Sequence, residues 1–381
     1  MKRSKWVIFV LAVCLGILLT GVNVQAAERD DDAEHRHTVK GLSERVRKIE
    51  EKMKGKEVLG KWAEKITLSG TLEVEVNYTN MNFNNPANQD AATSDITLAK
   101  MELGVDADIV KHVQGHVLLL WEEDDTEPVD LDEGFIIIDG LDRIPFYLNA
   151  GKQYVPFGYY ESHFISNPIT LEIGETRESA IKIGFKNDWL EICGAVFNGD
   201  IDETGQSNHA RSYASQAILT IPENSTSRFS LMAGISYISN IGDTNGLGDD
   251  ISGGPGTVVD HIGGWSAFLS AAFLEKFALE AEYVGATKKF QAGELSFDGG
   301  AAFQPRAWNL ELAYVFTDDL EFAVKYEGSR DLGDFQPESQ YGAALSWGVL
   351  DNASLAFECL YGTFDNNDKR TSFTVQFAVS F

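Results

Sequence analysis

The chain has little of three features that define other classes of protein. It holds only 3 cysteines in 381 residues, too few for a disulfide framework. It has 31 Lys and Arg against 58 Asp and Glu, so its formal net charge is -27 and it lacks the basic face that a nucleic-acid partner requires. Beyond the N-terminus, no apolar run is long enough for a transmembrane helix. These absences argue against a disulfide-stapled domain, a nucleic-acid-binding protein and a helical membrane protein.

The first residues have the pattern of a secretory signal peptide. A basic stretch at 2–5 precedes an apolar run at 6–19, and the small residues of "VQAA" follow. We expect a signal peptide over 1–26 with cleavage after Ala26; an N-terminal membrane anchor is the alternative. Of the cysteines beyond it, Cys193 and Cys359 fall on opposite faces of the strands predicted below and should not pair.

The segment 27–60 has a helical period. Apolar residues recur at spacings of three and four among charged ones, which indicates a short coiled-coil seam; they are Val39, Leu42, Val46, Ile49 and Met53. A helix of this length is marginal alone. It is expected to associate with copies of itself, to pack on a barrel rim, or to remain a solvated tether.

From Ile66 to Phe381 the period changes to two. Segments such as "ITLSGTLEVEVNYT", "FALEAEYVGA", "WNLELAYVF" and the terminal "TSFTVQFAVSF" alternate apolar with polar residues, as strands with two unlike faces do. Very short turns alternate with longer polar loops, about seven and eight of them, which gives about sixteen strands with both termini on the short-turn side.

These patterns predict an all-β fold, a transmembrane antiparallel β-barrel of about sixteen strands over 61–381. The last strand would close the barrel against the first, near 66–79. A large soluble β-sandwich is the alternative, but it does not explain why short and long connections alternate. A barrel of this size holds an aqueous channel and no separate plug domain, so we expect passive transport and no enzymatic activity, cofactor or metal.

The connection between predicted strands five and six is long and rich in aromatic residues. Its sequence, "NAGKQYVPFGYYESHFISNPITLEIGETRESAIKIGF", suits a loop folded into the lumen, with a loop lying over the outer rim as the alternative. Aromatic rings with polar tips could contact a chelate; they are Tyr154, Tyr159, Tyr160 and His163. Charged residues could tether the loop to wall residues such as Lys182; they are Glu172, Glu175 and Arg177.

Charged residues on the polar face of the strands are predicted to line the lumen. They are Glu73, Glu75, Lys100, Glu102, Lys182, Glu280, Glu282, Glu311 and Lys325. Carboxylates outnumber cations in this set, so the channel should prefer cations, whereas a phosphate pore needs a ring of Lys or Arg. The alternative is that these carboxylates are simply solvated or paired with the few lysines.

Two motifs carry a resemblance to a known family. "GKQYVPFG" followed by "NPITLEIGETRES" resembles the LbtU-type siderophore porin family, and the signal peptide, short helix and terminal Phe381 fit the same pattern. The resemblance implies plug-free uptake of ferric siderophores or similar chelates. A general or phosphate/anion-type diffusion porin and a structural envelope barrel are the alternatives, since the first motif also occurs in anion porins.

The same resemblance places the barrel in the outer membrane of a Gram-negative bacterium, with the N-terminal helix in the periplasm. The expected partners are outer-membrane lipid, a small-molecule solute and the barrel-assembly machinery, which would read the C-terminal strand. Assembly into a homo-oligomer is left open.

Overall fold

The computed structural model describes residues 64–381 except for 86, 124–125, 127, 141–143, 207–208, 223–227 and 253–256. The predicted signal peptide (1–26) and coiled-coil helix (27–60) lie outside the described residues and stay predictions. Within the described part, no helix is long and apolar enough to cross a membrane.

Sixteen strands of the described chain form one closed barrel, in which each strand pairs with its neighbours in sequence. The strands are β1 (Ile66–Asn82), β2 (Ala91–Val110), β3 (Val113–Trp121), β4 (Asp130–Ile138), β5 (Phe146–Tyr154), β6 (Arg177–Lys186), β7 (Leu190–Phe197), β8 (Ser212–Ile221), β9 (Phe229–Ile238), β10 (Gly264–Phe273), β11 (Phe277–Ala286), β12 (Arg306–Thr317), β13 (Leu320–Arg330), β14 (Ser339–Leu350), β15 (Ala353–Thr363) and β16 (Lys369–Ser380).

The barrel closes where the first and last strands meet. β16 runs antiparallel to β1, from Lys369 opposite Asn82 to Ser380 opposite Thr71. The backbone of Phe381 continues the pairing, because its N–H and C=O both bond Gly70, at 3.0 and 3.1 Å. The predicted fold class and strand number are therefore confirmed.

The alternation of side chains gives the barrel an apolar outer face. On β1, Leu72, Val74 and Val76 are exposed, whereas Glu73 and Glu75 point inward. A row of exposed large apolar residues continues around the strands. The register also separates the two cysteines, both of which are free.

The two ends of the barrel differ. One end carries short turns, and the other carries loops, of which the longest are 155–176, 198–211, 239–263 and 287–305. These four contain the helices α1 (Ile169–Gly174) and α2 (Asn245–Asp249), a 3-10 helix (Ile241–Asp243), and two short parallel strands, Asp202–Glu203 and Thr257–Val258.

The long loops share one hydrophobic core with the inner wall. Phe157 and Ile173 of loop 155–176, Leu247 of loop 239–263 and Phe290 of loop 287–305 are almost completely buried together. The core also includes small or branched wall residues, namely Ala195, Ala214, Val284 and Ala307. In the described part, it includes no residue of β1–β4 or β16, so the loops fill the barrel on one side only.

Candidate functional site

The connection between β5 and β6, residues 155–176, is here named the crossing loop. It leaves the wall at Tyr154, yet its backbone bonds strands on the far side of the barrel. The N–H groups of Tyr159 and Tyr160 donate to the carboxylate of Glu282 on β11, at 2.8 and 3.0 Å. The loop therefore crosses the lumen, as its composition suggests.

Four further carboxylates of β12, β13 and β15 hold the loop. Glu311 accepts from the Ser162 hydroxyl and the His163 N–H, both at 2.7 Å. Glu358 accepts from the N–H of Ser166 at 2.9 Å and from its hydroxyl at 2.5 Å.

The two remaining anchors lie on β13. Glu327 accepts from the Ile169 N–H at 2.9 Å, and Glu321 lies 2.8 Å from Nδ1 of His163. Buried N–H groups need partners, and hydrogen bonds to charged acceptors are stronger than neutral ones. These inward carboxylates therefore accept hydrogen bonds from the backbone of the loop, as the carbonyl groups of a neighbouring strand would in a sheet.

A buried lysine compensates part of this negative charge. Nζ of Lys325 lies 3.3 Å from Glu311 and 3.6 Å from Glu327, and all three side chains are fully buried. The ring of Phe164 covers the ammonium at 4.5 Å from its centroid. These residues point into the barrel but lie beneath the crossing loop, so of the predicted lumen charges, Glu282, Glu311 and Lys325 do not line open space.

A tight turn directs the aromatic residues of the loop. Gly158 and Tyr160 both have positive φ, 77° and 57°. A Cβ at Gly158 would lie 2.0 Å from the Tyr160 ring, so only glycine fits there. The Tyr160 hydroxyl is buried without a hydrogen-bond partner among the described residues, whereas Tyr159 stacks on Phe268 at 4.7 Å.

The predicted tethers contact other partners than Lys182. Arg177 pairs with Asp132 and lies 3.8 Å from Asp130, and the Tyr154 hydroxyl bonds Asp132 at 3.3 Å. Arg177 therefore contacts wall carboxylates of β4 and not Lys182, because β6 turns its side chain toward β4.

Glu175 is likewise directed away from Lys182, toward a neighbouring loop. Its carboxylate accepts from Nδ2 of Asn245, on α2, at 3.4 Å, and burial raises its pKa to about 7. Glu172 lies in α1, which packs closely on α2: a Cβ at Gly246 would meet the Glu172 carbonyl at 1.9 Å.

The inner faces of β16 and β1–β4 are here named the open wall, and those of β11–β15 the covered wall. On the open wall, Glu73, Glu75, Lys100 and Glu102 are all partly exposed. Lys100 pairs with Glu102 at 2.8 Å, and Gln376 donates to Glu75 at 2.9 Å. These side chains bond neighbouring residues of the wall, and the described residues show no hydrogen bond between them and the crossing loop.

Sequence reasoning found the inward carboxylates but missed their role as anchors. Glu280 is nearly buried and accepts from the Ser270 hydroxyl at 2.8 Å, close to the crossing loop. The unrecognised partners are Ser162, Ser166 and Thr170, whose hydroxyls bond Glu311, Glu358 and Glu282. Two features of the sequence could have indicated this role. The loop contains several residues with hydroxyl groups, and the predicted inner faces of the strands carry more carboxylates than cations.

Comparison with curated proteins gives relatives that are named UPF0422 proteins. The chain is 27% identical over 256 residues to a UPF0422 protein of Coxiella burnetii, covering 65% of this chain and 54% of that protein. It is 28% identical over 281 residues to a UPF0422 protein of Legionella pneumophila, strain Philadelphia 1, covering 66% and 49%. The chain thus spans about half the length of the curated relatives it matches. No family model matches the chain.

Comparison with solved structures gives porins at low sequence identity. Pseudomonas putida OprB matches with a TM-score of 0.57 at 12% identity, covering 86% of this chain and 96% of that one. An anion-selective porin from Comamonas acidovorans matches with a TM-score of 0.55 at 11% identity, covering 83% and 99%. The outer-membrane channel DcaP of Acinetobacter baumannii matches with 0.53 at 12% identity, covering 83% and 97%. The chain therefore has the fold of a sixteen-stranded porin.

Proposed function

We propose that this chain is a plug-free diffusion channel of a Gram-negative outer membrane. The observation that carries the proposal is the unequal filling of the barrel. The crossing loop and its core occupy one side, whereas the open wall keeps partly exposed charged and polar side chains. Solutes would pass between the crossing loop and the open wall.

The membrane location has its own support. The barrel has an apolar outer face, short turns at one end and long loops at the other, and these are features of outer-membrane barrels. In that setting the short turns face the periplasm, lipid contacts the outer face, and the assembly machinery reads β16. The periplasmic helix stays a prediction, since it precedes the described residues.

For the solute, we propose ferric siderophores or chelates of similar size. The support is the resemblance in "GKQYVPFG" and "NPITLEIGETRES", together with the partly exposed side chains of Tyr159 and His163 on the crossing loop. Tyr160 offers only a buried hydroxyl, and the Tyr154 hydroxyl is directed to Asp132. The contact surface for a chelate is therefore smaller than the sequence predicts.

An anion-type porin is the rival, and a neighbour in fold is described as an anion-selective porin. The charge of the open wall weighs against it. Glu73, Glu75 and Glu102 are partly exposed there, and Lys100 is already paired with Glu102. Carboxylates at close quarters in a pore favour cations.

Planar-bilayer recording tests both parts of the proposal, the diffusion channel and its solute. The refolded protein should give stepwise conductance, and a salt gradient should give a reversal potential that indicates cation preference. A ferric hydroxamate added to one side should then reduce the current, while the iron-free ligand serves as control. Absence of conductance would leave a structural barrel, and anion preference would favour the rival.

A further inference from the structure

The barrel holds a cavity at its short-turn end that no residue of the crossing loop lines. Its volume is about 460 Å³, and its lining comes from β4 to β7 and the turn between β4 and β5. A volume of this order accommodates a small organic molecule. Ile137, Ile144, Pro145 and Phe146 give it an apolar side, and the polar side consists of Asp139, Tyr147, Asn149, Lys182, Lys186 and Glu191.

Three of these polar side chains satisfy one another. Nζ of Lys186 lies 2.8 Å from Glu191, and the Tyr147 hydroxyl donates to the same carboxylate at 2.7 Å. Lys182 differs from them. It forms no ion pair and no hydrogen bond with any described residue, and Glu133 and Glu191 act on it only at longer range. The cavity therefore offers one cation without a close counter-ion.

The residue opposite Lys182 supplies a second unsatisfied group. Asn149 pairs with Lys182 across β5 and β6, so both side chains point into the barrel side by side. Oδ1 of Asn149 is buried and has no hydrogen-bond partner among the described residues. Such an acceptor is unfavourable until a donor reaches it.

We propose that this cavity binds a small, singly charged 2-hydroxy acid with an apolar body. Its carboxylate pairs with the Lys182 ammonium, and its hydroxyl donates to Oδ1 of Asn149. Its apolar part lies on Ile137, Ile144 and Pro145. A dianion is disfavoured, because Asp139 and Glu191 both stand in the same cavity and Glu191 already neutralises the other lysine, Lys186. The inference concerns binding to the folded barrel and does not depend on conduction.

Isothermal titration calorimetry on the folded barrel in detergent tests the site with three probes. Mandelate carries the charge, the hydroxyl and the apolar ring, phenylacetate lacks the hydroxyl, and benzyl alcohol lacks the charge. We expect mandelate to bind more tightly than phenylacetate, and benzyl alcohol to bind most weakly. Lys182→Met should lower the affinity for mandelate by about tenfold or more.

Asn149→Leu should lower the affinity for mandelate to that for phenylacetate and leave the affinity for phenylacetate unchanged. Lys100→Met removes the same charge elsewhere in the lumen and should leave all three affinities unchanged. Heat-modifiable migration on gels shows that each variant is folded. Equal binding of mandelate and phenylacetate, or an equal loss in Lys182→Met and Lys100→Met, would overturn the site, as would no binding of mandelate at all. Bilayer conductance of the same samples tests the channel proposal separately.

Discussion

The covered wall and the open wall are made from the same alternating pattern but use their carboxylates differently. On the covered wall, Glu311 and Glu327 are fully buried and accept hydrogen bonds from the crossing loop. On the open wall, Glu73 and Glu75 are partly exposed, and their hydrogen-bond partners among the described residues are Gln376 and Asn77. The same residue type is a structural anchor on one side and a solvated charge on the other, because the crossing loop bonds the carboxylates of the covered wall and, among the described residues, none of the open wall.

The largest difference between the two walls should appear on removing one anchor. Glu311→Ala leaves Lys325 buried without its closest counter-ion and frees the bonds to Ser162 and His163. Breaking a buried pair in this way costs ~3–5 kcal/mol. Urea unfolding of the barrel in lipid vesicles should show this loss.

Glu75→Ala is the matched change on the open wall and should cost under about 1 kcal/mol. Equal losses in the two variants would contradict the division between anchors and solvated charges.

Removing the crossing loop should affect conduction next most strongly. Shortening the chain between Gly158 and Ile173 should raise single-channel conductance and weaken discrimination between solutes, because the loop crosses the lumen. Planar-bilayer recording gives both quantities. Shortening loop 83–90, which joins β1 to β2 of the open wall, should leave conductance nearly unchanged; an unchanged conductance in both variants would show that the crossing loop is no constriction.

Charge selectivity should depend on one wall only. Neutralising Glu73, Glu75 and Glu102 together should shift the reversal potential toward anions, since these side chains are partly exposed. Glu282→Gln removes a charge that is buried under the loop, and its reversal potential should stay close to the parent value. A larger shift from Glu282→Gln than from the triple change would reverse this assignment.

A smaller effect is expected from pH, through Glu175 at the base of the crossing loop. Burial raises its pKa from 4.5 to about 7, so the folded chain holds this proton more tightly than the unfolded chain does. Its contribution to stability is therefore present below 4.5 and is lost as the pH rises toward about 7.

The comparison of the parent with Glu175→Gln across this range isolates that contribution. Urea midpoints of the parent should fall relative to those of the variant as the pH rises. His163 shifts in the same sense, because its hydrogen bond to Glu321 raises its pKa. Parallel pH profiles for parent and variant would show that Glu175 does not titrate in this range.

The smallest effect is expected from the segment that precedes the described residues. Deleting 37–56 removes residues of the predicted helix and no residue of a strand, and the apolar period of this segment differs from that of the strands. Heat-modifiable migration on gels should be retained. A deletion variant that is exported but no longer folds in lipid would show that the barrel needs this segment.

The barrel was predictable because its signals are local. Alternation marks each strand, and the lengths of the connections mark the two ends, so the strand number followed from counting. The division between the walls was not predictable in this way, since Glu75 and Glu311 sit in indistinguishable alternating segments. What separates them is the path of a loop that begins far away in the sequence. Tyr160 was predicted to contact a chelate, because the sequence shows neither its positive φ nor the burial of its hydroxyl.

The anchors of the crossing loop also bear on the order in which the molecule forms. The bonds that hold it join residues separated by 112 positions for Thr170 and Glu282, and by 192 positions for Ser166 and Glu358. Contacts of such high sequence separation form late, because the chain between them must be ordered first. None of the acceptors on β11–β15 exists until the second half of the barrel is in place. A newly inserted barrel would therefore pass through a stage in which its lumen is wide and the loop is still free, and it would leak more than the finished molecule.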